Sequence, residues 1–275
     1  MSSFKPPAVL LDELGIAAPN QIHIEGIAQY CGATVVYEPL HGCEARIIGV
    51  GDRAIITVRA DAPRSRQRFS AAHELGHWMR DRGRIAFACD QQKLTREWDD
   101  ENPERRANRY AANLLLPQRM FVERAARLQP NLESARQLAS VFDTSLTATA
   151  IRLAELGPLP SVVVCTRGGE RCWSTRSPIV PSQLRVRSSV GRSTVARGLA
   201  EGREGGTATV DSDEWFDAVG ASDYVIEEHS TVLGGGFVLT ILSWKTEEQL
   251  VALEEDDDGG DGRDDRPTFA GRRRR

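Results

Sequence analysis

Two of the chain's five histidines, His73 and His77, stand four residues apart in Ala71-Ala72-His73-Glu74-Leu75-Gly76-His77-Trp78, and no other feature constrains the fold as strongly. Residues at that spacing lie on one face of an α-helix, one turn above each other, so the two imidazoles converge on one point. The surrounding sequence predicts the required helix over roughly Arg66–Arg80. Phe69, Ala72, Gly76 and Met79 recur at i, i+3, i+7 and i+10 and lay an apolar stripe along it. HExxH on a helix is a metal-binding pattern in which both histidines ligate and Glu74 stands beside the metal as general base. Zinc lowers the pKa of its water towards neutrality. A carboxylate placed like that of Glu74 takes the proton and hands it to a leaving amine. The plainer alternative is a surface or packed histidine pair without metal.

A catalytic zinc ion takes three protein ligands and keeps one position open, so a further donor is needed. The sequence from Pro103 to Pro117 predicts a second helix, with one proline suited to its first turn and the other marking its end. Ala107, Tyr110, Ala111, Leu114 and Leu115 form its buried stripe, and Glu104 lies on the same stripe one turn earlier. A carboxylate aligned with an apolar face needs a partner, and a zinc ion is one. Stabilisation of the helix N-terminus by negative charge is the competing role for Glu104. Asn108, four residues on, is placed to hydrogen-bond a metal ligand from outside. Asp99, Asp100 and Glu101 compete as donors but precede the helix.

Composition removes several function classes. No apolar run approaches the roughly 20 residues of a membrane-spanning helix. The first residues lack a basic stretch followed by an apolar one, so no secretory signal is expected and the expected location is cytoplasmic. Five cysteines without a CxxC pair read as free thiols in a reducing compartment. Cys165 and Cys172 are candidates for redox sensitivity, with inert buried thiols as the plainer expectation. A net charge of −4 provides no global basic field for nucleic acid.

The 275 residues divide into four expected parts. Residues 1–117 carry a helix near Ile22–Cys31, β-runs at Ala33–Tyr37, Arg46–Val50 and Ala54–Val58, and both motifs. A turn at Gly51-Asp52 joins the last two runs as a hairpin. Residues 118–157 read as a helical bundle, with segments near Arg119–Leu128, Leu132–Val141 and Leu146–Leu156, the last N-capped by Ser145. Its final two helices form a helix-turn-helix with Leu138, Ala139, Leu146, Ala150, Ile151 and Leu153 as core. Residues 158–252 hold short β-runs and one helix N-capped by Ser193, and read as a small α+β domain. Trp173, Trp215, Phe216 and Trp244 are expected in core or interface, and Glu227-Glu228-His229 is a weak metal candidate. Residues 253–275, with eight acids and six arginines, read as a disordered tail. The fold class is therefore α+β. The helix-turn-helix offers Thr144, Ser145, Thr147, Thr149 and only one cation, Arg152, so direct DNA binding is expected to be weak.

The segments RQRFSAAHELGHW and ERRANRYAANLLLP together resemble the ImmA/IrrE family of metallo-endopeptidases over about residues 20–160. The family patterns are similar to RxRFTxAHELGH and ExEANxFAxxLLMP. Arg106 stands where a second glutamate is frequent, and Tyr110 where phenylalanine is usual. The resemblance implies a zincin-like N-terminal domain with His73 and His77 as metal ligands, Glu74 as catalytic base and Glu104 as a gluzincin-like third ligand. It implies Zn²⁺, with Mn²⁺ as an alternative in cells, and a helix-turn-helix repressor of the XRE type as protein substrate. Cleavage would release a stress, DNA-damage or mobile-element regulon. In long members a GAF-like domain follows, which implies a small-molecule or redox input at the C-terminal part. Zincin-type folds imply that the strand before the metal helix, Ala54–Val58, is an edge that captures extended peptide. The rival is a DNA-binding transcriptional regulator whose zincin fold does not turn over.

Overall fold

The structure, a computed structural model, describes residues 4–81, 86–89, 102–218 and 224–244. The expected tail over 253–275 and the competitors Asp99, Asp100 and Glu101 lie outside them. The fold is α+β. Helix α1 (Pro7–Glu13) and helix α2 (Ile24–Tyr30) precede strands β1 (Ala33–Glu38), β2 (Ala45–Val50) and β3 (Arg53–Arg59). The metal-motif helix α3 (Arg64–Asp81) and strand β4 (Ala86–Cys89) follow. Helix α1 was not anticipated; its seven residues start on Pro7 and bury only Leu10, Leu11 and that proline.

The first sheet has the order β1-β3-β2-β4. β2 and β3 form the expected hairpin, Val50 opposite Arg53. β1 lies parallel to β3 on its other side, Ala33 opposite Ala54. The expectation that Ala54–Val58 is an edge is therefore corrected: β3 is interior, and β1 and β4 are the edges. Adjacent strands in sequence announce a hairpin, whereas a parallel partner arriving through a crossover leaves no local signal. The predicted amphipathic stripe of α3 is also too narrow. Ser70 to Met79 are buried on every side, because the sheet, α2 and α4 (Pro103–Leu115) all pack on this helix. The helix is a core element and not a surface one.

Helices α5 (Gln118–Ala125), α6 (Leu132–Phe142) and α7 (Leu146–Leu156) complete the N-terminal half. Ser145 caps α7 as expected, its hydroxyl accepting from the Ala148 amide. Asp143 ends α6 in the left-handed region, φ 52°, a conformation that Asp tolerates better than most residues. From there its carboxylate accepts from Arg64 Nε at 2.7 Å and Arg68 Nη1 at 3.2 Å, tying the bundle to the first turns of α3.

In the C-terminal half, strands β5 (Ser161–Arg167), β6 (Glu170–Arg176) and β7 (Arg185–Val186) come first. Helix α8 (Val195–Ala200), β8 (Gly206–Asp211), β9 (Phe216–Asp217), β10 (Val225–Val232) and β11 (Phe237–Ser243) follow. An antiparallel sheet of order β6-β5-β11-β10-β8 dominates. Both of its edge strands, β6 and β8, lack the apolar run that marks buried strands, so sequence reading passes over them. The cap of α8 is Thr194 and not Ser193, since the Thr194 hydroxyl accepts from the Arg197 amide.

One face of this sheet, through Val163, Leu239 and Ile241, joins the same apolar cluster as Leu114, Phe121, Phe142 and Ala150. The opposite face builds a smaller cluster around Trp215, Phe216 and Trp244. Glu228 is fully buried beside it and accepts from the Val195 and Ala196 amides, Trp215 Nε1 and Ser230 Oγ at 2.7–3.2 Å. By accepting from the two amides Glu228 adds to the capping of α8, and the four donors occupy its carboxylate. Glu227 and His229 instead share the other face of β10, where they bond to Thr209 and Thr207 of β8. Glu228→Ala is expected to cost at least about 3 kcal/mol, since each orphaned buried donor costs about 1–3 kcal/mol. Glu228→Gln keeps an acceptor and should lose less. Urea unfolding of the two variants measures the difference.

Candidate metal centre

Three side chains from two helices meet at one point. His73 and His77, one turn apart on α3, bring their Nε2 atoms to 3.1 Å of each other. Glu104, in the first turn of α4, sets one carboxylate oxygen 3.2 Å from His73 Nε2 and the other 3.4 Å from His77 Nε2. Among the described residues this is the group whose ligand atoms all lie close enough to share an ion, within 4.8 Å.

Glu104 arrives there because α4 crosses α3 at very short range. A Cβ added to Gly76 would stand 3.0 Å from Tyr110 Cβ and 3.2 Å from Ala107 Cα. Only glycine fills that position without pushing the helices apart. Ala107 and Tyr110 belong to the predicted buried stripe of α4, and Glu104 extends it by one turn. The helix starts on Pro103, and the Asn102 side chain accepts from the Glu104 amide at 2.9 Å. That cap fixes the first turn and so the direction in which Glu104 leaves it.

Asn108, one turn after Glu104, places Oδ1 2.9 Å from His73 Nδ1. An amide oxygen only accepts, so His73 donates from Nδ1, and a metal-bound His73 would turn the lone pair of Nε2 to the ion. Such a partner fixes both the tautomer and the ring plane of a metal-binding histidine. Hydrogen bonds from His73 and then His77 hold the Glu104 carboxyl well below the usual carboxylate range, although burial opposes the shift. A carboxylate whose ionised form is favoured, beside two imidazoles, is a donor set that suits a borderline divalent cation such as zinc. The residues present therefore fit the metal that the sequence pattern implies.

Among the described ligand residues the centre is exposed at Glu104. His73, Glu74 and His77 are 1%, 1% and 4% exposed, whereas the Glu104 side chain is 46% exposed. Glu74 leaves the same turn of α3 as His73 and is enclosed in the core. Tyr110 is buried with its ring 6.3 Å from that of Phe4, a packing position on the α3–α4 contact.

The helix-turn-helix presents a different picture. Thr149 is fully buried and bonds Thr144 Oγ1 at 2.8 Å. Arg152, the single cation offered for DNA contact, is 8% exposed. It donates to the Leu116 carbonyl at 3.1 Å and Asn113 Oδ1 at 2.8 Å, and it pairs with Glu155 at 3.3 Å. Helix α7 also packs against β5 and β6. Two of the five expected contact residues are thus taken up by the protein's own interior.

Residues 28–154 match a peptidase family model described as the IrrE N-terminal-like domain. No curated protein matches the sequence. Among solved structures, a Mycobacterium tuberculosis transcriptional regulator is similar at 16% identity with a TM-score of 0.57. That alignment covers 93% of this chain and 78% of the regulator, and at such identity the likeness is one of fold. The helix pair and the converging donors lie within or beside the matched segment, and residues 28–154 of this chain are similar to the IrrE N-terminal-like domain.

Proposed function

We propose that this protein is a zinc-dependent endopeptidase that cleaves a helix-turn-helix transcriptional repressor, of the XRE type, and thereby derepresses a stress, DNA-damage or mobile-element regulon. The observation that carries the reading is the meeting of His73, His77 and Glu104 around one point, with Glu74 enclosed on the same turn of α3. His73, His77 and Glu104 would hold the ion, Zn²⁺ or in cells Mn²⁺. When bound, it supplies a Lewis acid and makes water more acidic. Glu74 is the general base: its carboxylate accepts a proton from the attacking water and delivers it to the departing amine nitrogen. Asn108 orients the His73 ring. The buried walls exclude bulk water, and the exposed side of Glu104 is where an extended peptide enters.

The C-terminal half is read as a GAF-like sensor of a small-molecule or redox signal. Burial of Thr149 and Arg152 supports a structural role for the helix-turn-helix over DNA reading.

The test is cleavage. The purified protein, loaded with one equivalent of Zn²⁺, is incubated with the repressor encoded beside it. A single discrete cut is expected, lost on chelation and restored by Zn²⁺ or Mn²⁺. If metal is bound and every co-encoded repressor stays intact, the peptidase reading fails. A sequence-specific gel shift by the protein itself would then favour the non-turning-over regulator.

A further inference from the structure

The hairpin of β5 and β6 turns through Gly168 and Gly169, both at positive φ (59° and 84°). This is the backbone that a two-residue primed turn requires. From the turn, Arg167 pairs with Glu170 and Thr166 with Arg171. Continued regularly, that register would set Cys172 opposite Cys165. A β-bulge intervenes: Cys165 pairs with Trp173, and Cys172 becomes the extra residue between the two pairs. Cys165 therefore confronts two residues of β6, and one of them is a second thiol. A bulge sets two residues of one strand against one of the other, so Cys165 and Cys172 are neighbours across the strand pair, the kind of approach a disulfide needs.

Both cysteines are free, and their surroundings differ: Cys165 is buried and Cys172 exposed. Cys165 stands opposite Leu239 of β11, on the sheet face that packs against the helical bundle. Trp173 packs on that same core. Neither thiol has a role in the metal centre.

We propose that Cys165 and Cys172 are a dithiol site that hydroperoxides oxidise to an intramolecular disulfide across β5 and β6. Exposed Cys172 meets the oxidant. Its thiolate attacks a peroxide oxygen, the O–O bond breaks, and the departing oxygen takes a proton and leaves as water or alcohol. Cys172 is then a sulfenic acid. The Cys165 sulfur attacks the Cys172 sulfur, the S–O bond breaks, and water leaves with the Cys165 proton. The dithiol loses two electrons and two protons, and the peroxide gains them. Burial, with the neighbouring Cys172 adding to it, pushes the Cys165 thiol up to about 11, which leaves the first attack to Cys172. The bond would lock the bulge beneath Trp173, on the strand pair against which α7 packs.

The full chain is treated with stoichiometric hydrogen peroxide, and its mass and alkylation pattern are read. The expected result is loss of two hydrogen masses, mapped to a linked Cys165–Cys172 peptide pair and reversed by dithiothreitol. Cys31 and Cys43 should remain alkylatable after unfolding. Cys172→Ser should remove the loss, and Cys165→Ser should drive Cys172 to sulfinic acid or to an intermolecular disulfide. The proposal is overturned if wild-type Cys172 is over-oxidised or dimerised while Cys165 stays alkylatable. It is equally overturned if both thiols survive peroxide that oxidises glutathione. Should Cys165→Ser not fold, the comparison of wild type with the surface variant Cys172→Ser decides.

Discussion

Glu74→Gln should lower peptide-bond cleavage by about 10²–10⁴-fold, the usual contribution of a positioned general base, while metal stoichiometry stays at the wild-type level. Glutamine matches glutamate in shape, so it fits the enclosed position on α3 without a cavity or a clash. It has no basic oxygen to take a proton from water. The three donors that meet across α3 and α4 are His73, His77 and Glu104, and none of them changes. The measurements are cleavage rate, metal content and thermal unfolding of the same preparation. Loss of activity together with loss of metal would show Glu74 holding the site together, and retained activity would remove it from the chemistry.

Glu104→Ala should weaken metal binding by more than the roughly 10–100-fold that loss of an outer partner costs, and Asn108→Ala should fall within that range. The ranking follows from position: Glu104 faces both imidazole nitrogens, whereas Asn108 touches only the far side of one ring. The Glu104 variant also separates the two roles open to this residue. If its carboxylate served only to stabilise the N-terminus of α4, its removal would cost about 0.3–1 kcal/mol of stability and leave metal affinity intact. As a ligand it shows the reverse pattern. The helix keeps its Asn102 cap and its buried stripe, and the side chain is half exposed, so the metal-free protein should melt near wild type. Competition with a chromogenic chelator gives the affinities. Unchanged affinity in Glu104→Ala would move the third donor elsewhere.

The degree to which the site was legible follows from how local each signal is. HExxH sits within one helix turn, so its geometry follows from helical spacing alone. The second helix was legible in its proline boundaries and its stripe, and Asn108 in its distance from Glu104. The strands β6 and β8 were not legible, because exposed edge strands rich in charged and small residues carry no burial pattern. The edge position expected of β3 failed for a different reason. Its parallel neighbour β1 is brought in by tertiary packing, and no residue of β3 records which strand will lie on its open side.

The sequence by itself determined the chemistry on offer: two imidazoles on one helical face, a carboxylate between them, another at the start of an amphipathic helix, and an α+β order of elements. Periodicity and end signals are properties of short stretches, and short stretches suffice for that much. Only the tertiary structure decided that Glu104 reaches the histidines, since this depends on a helix crossing close enough to require Gly76 against Ala107 and Tyr110. Only it decided that Arg152 is buried, since the C-terminal end of α4, distant in sequence, supplies its partners at Leu116 and Asn113. Burial is set by what packs on a residue, and that is not written in the residue's own neighbourhood.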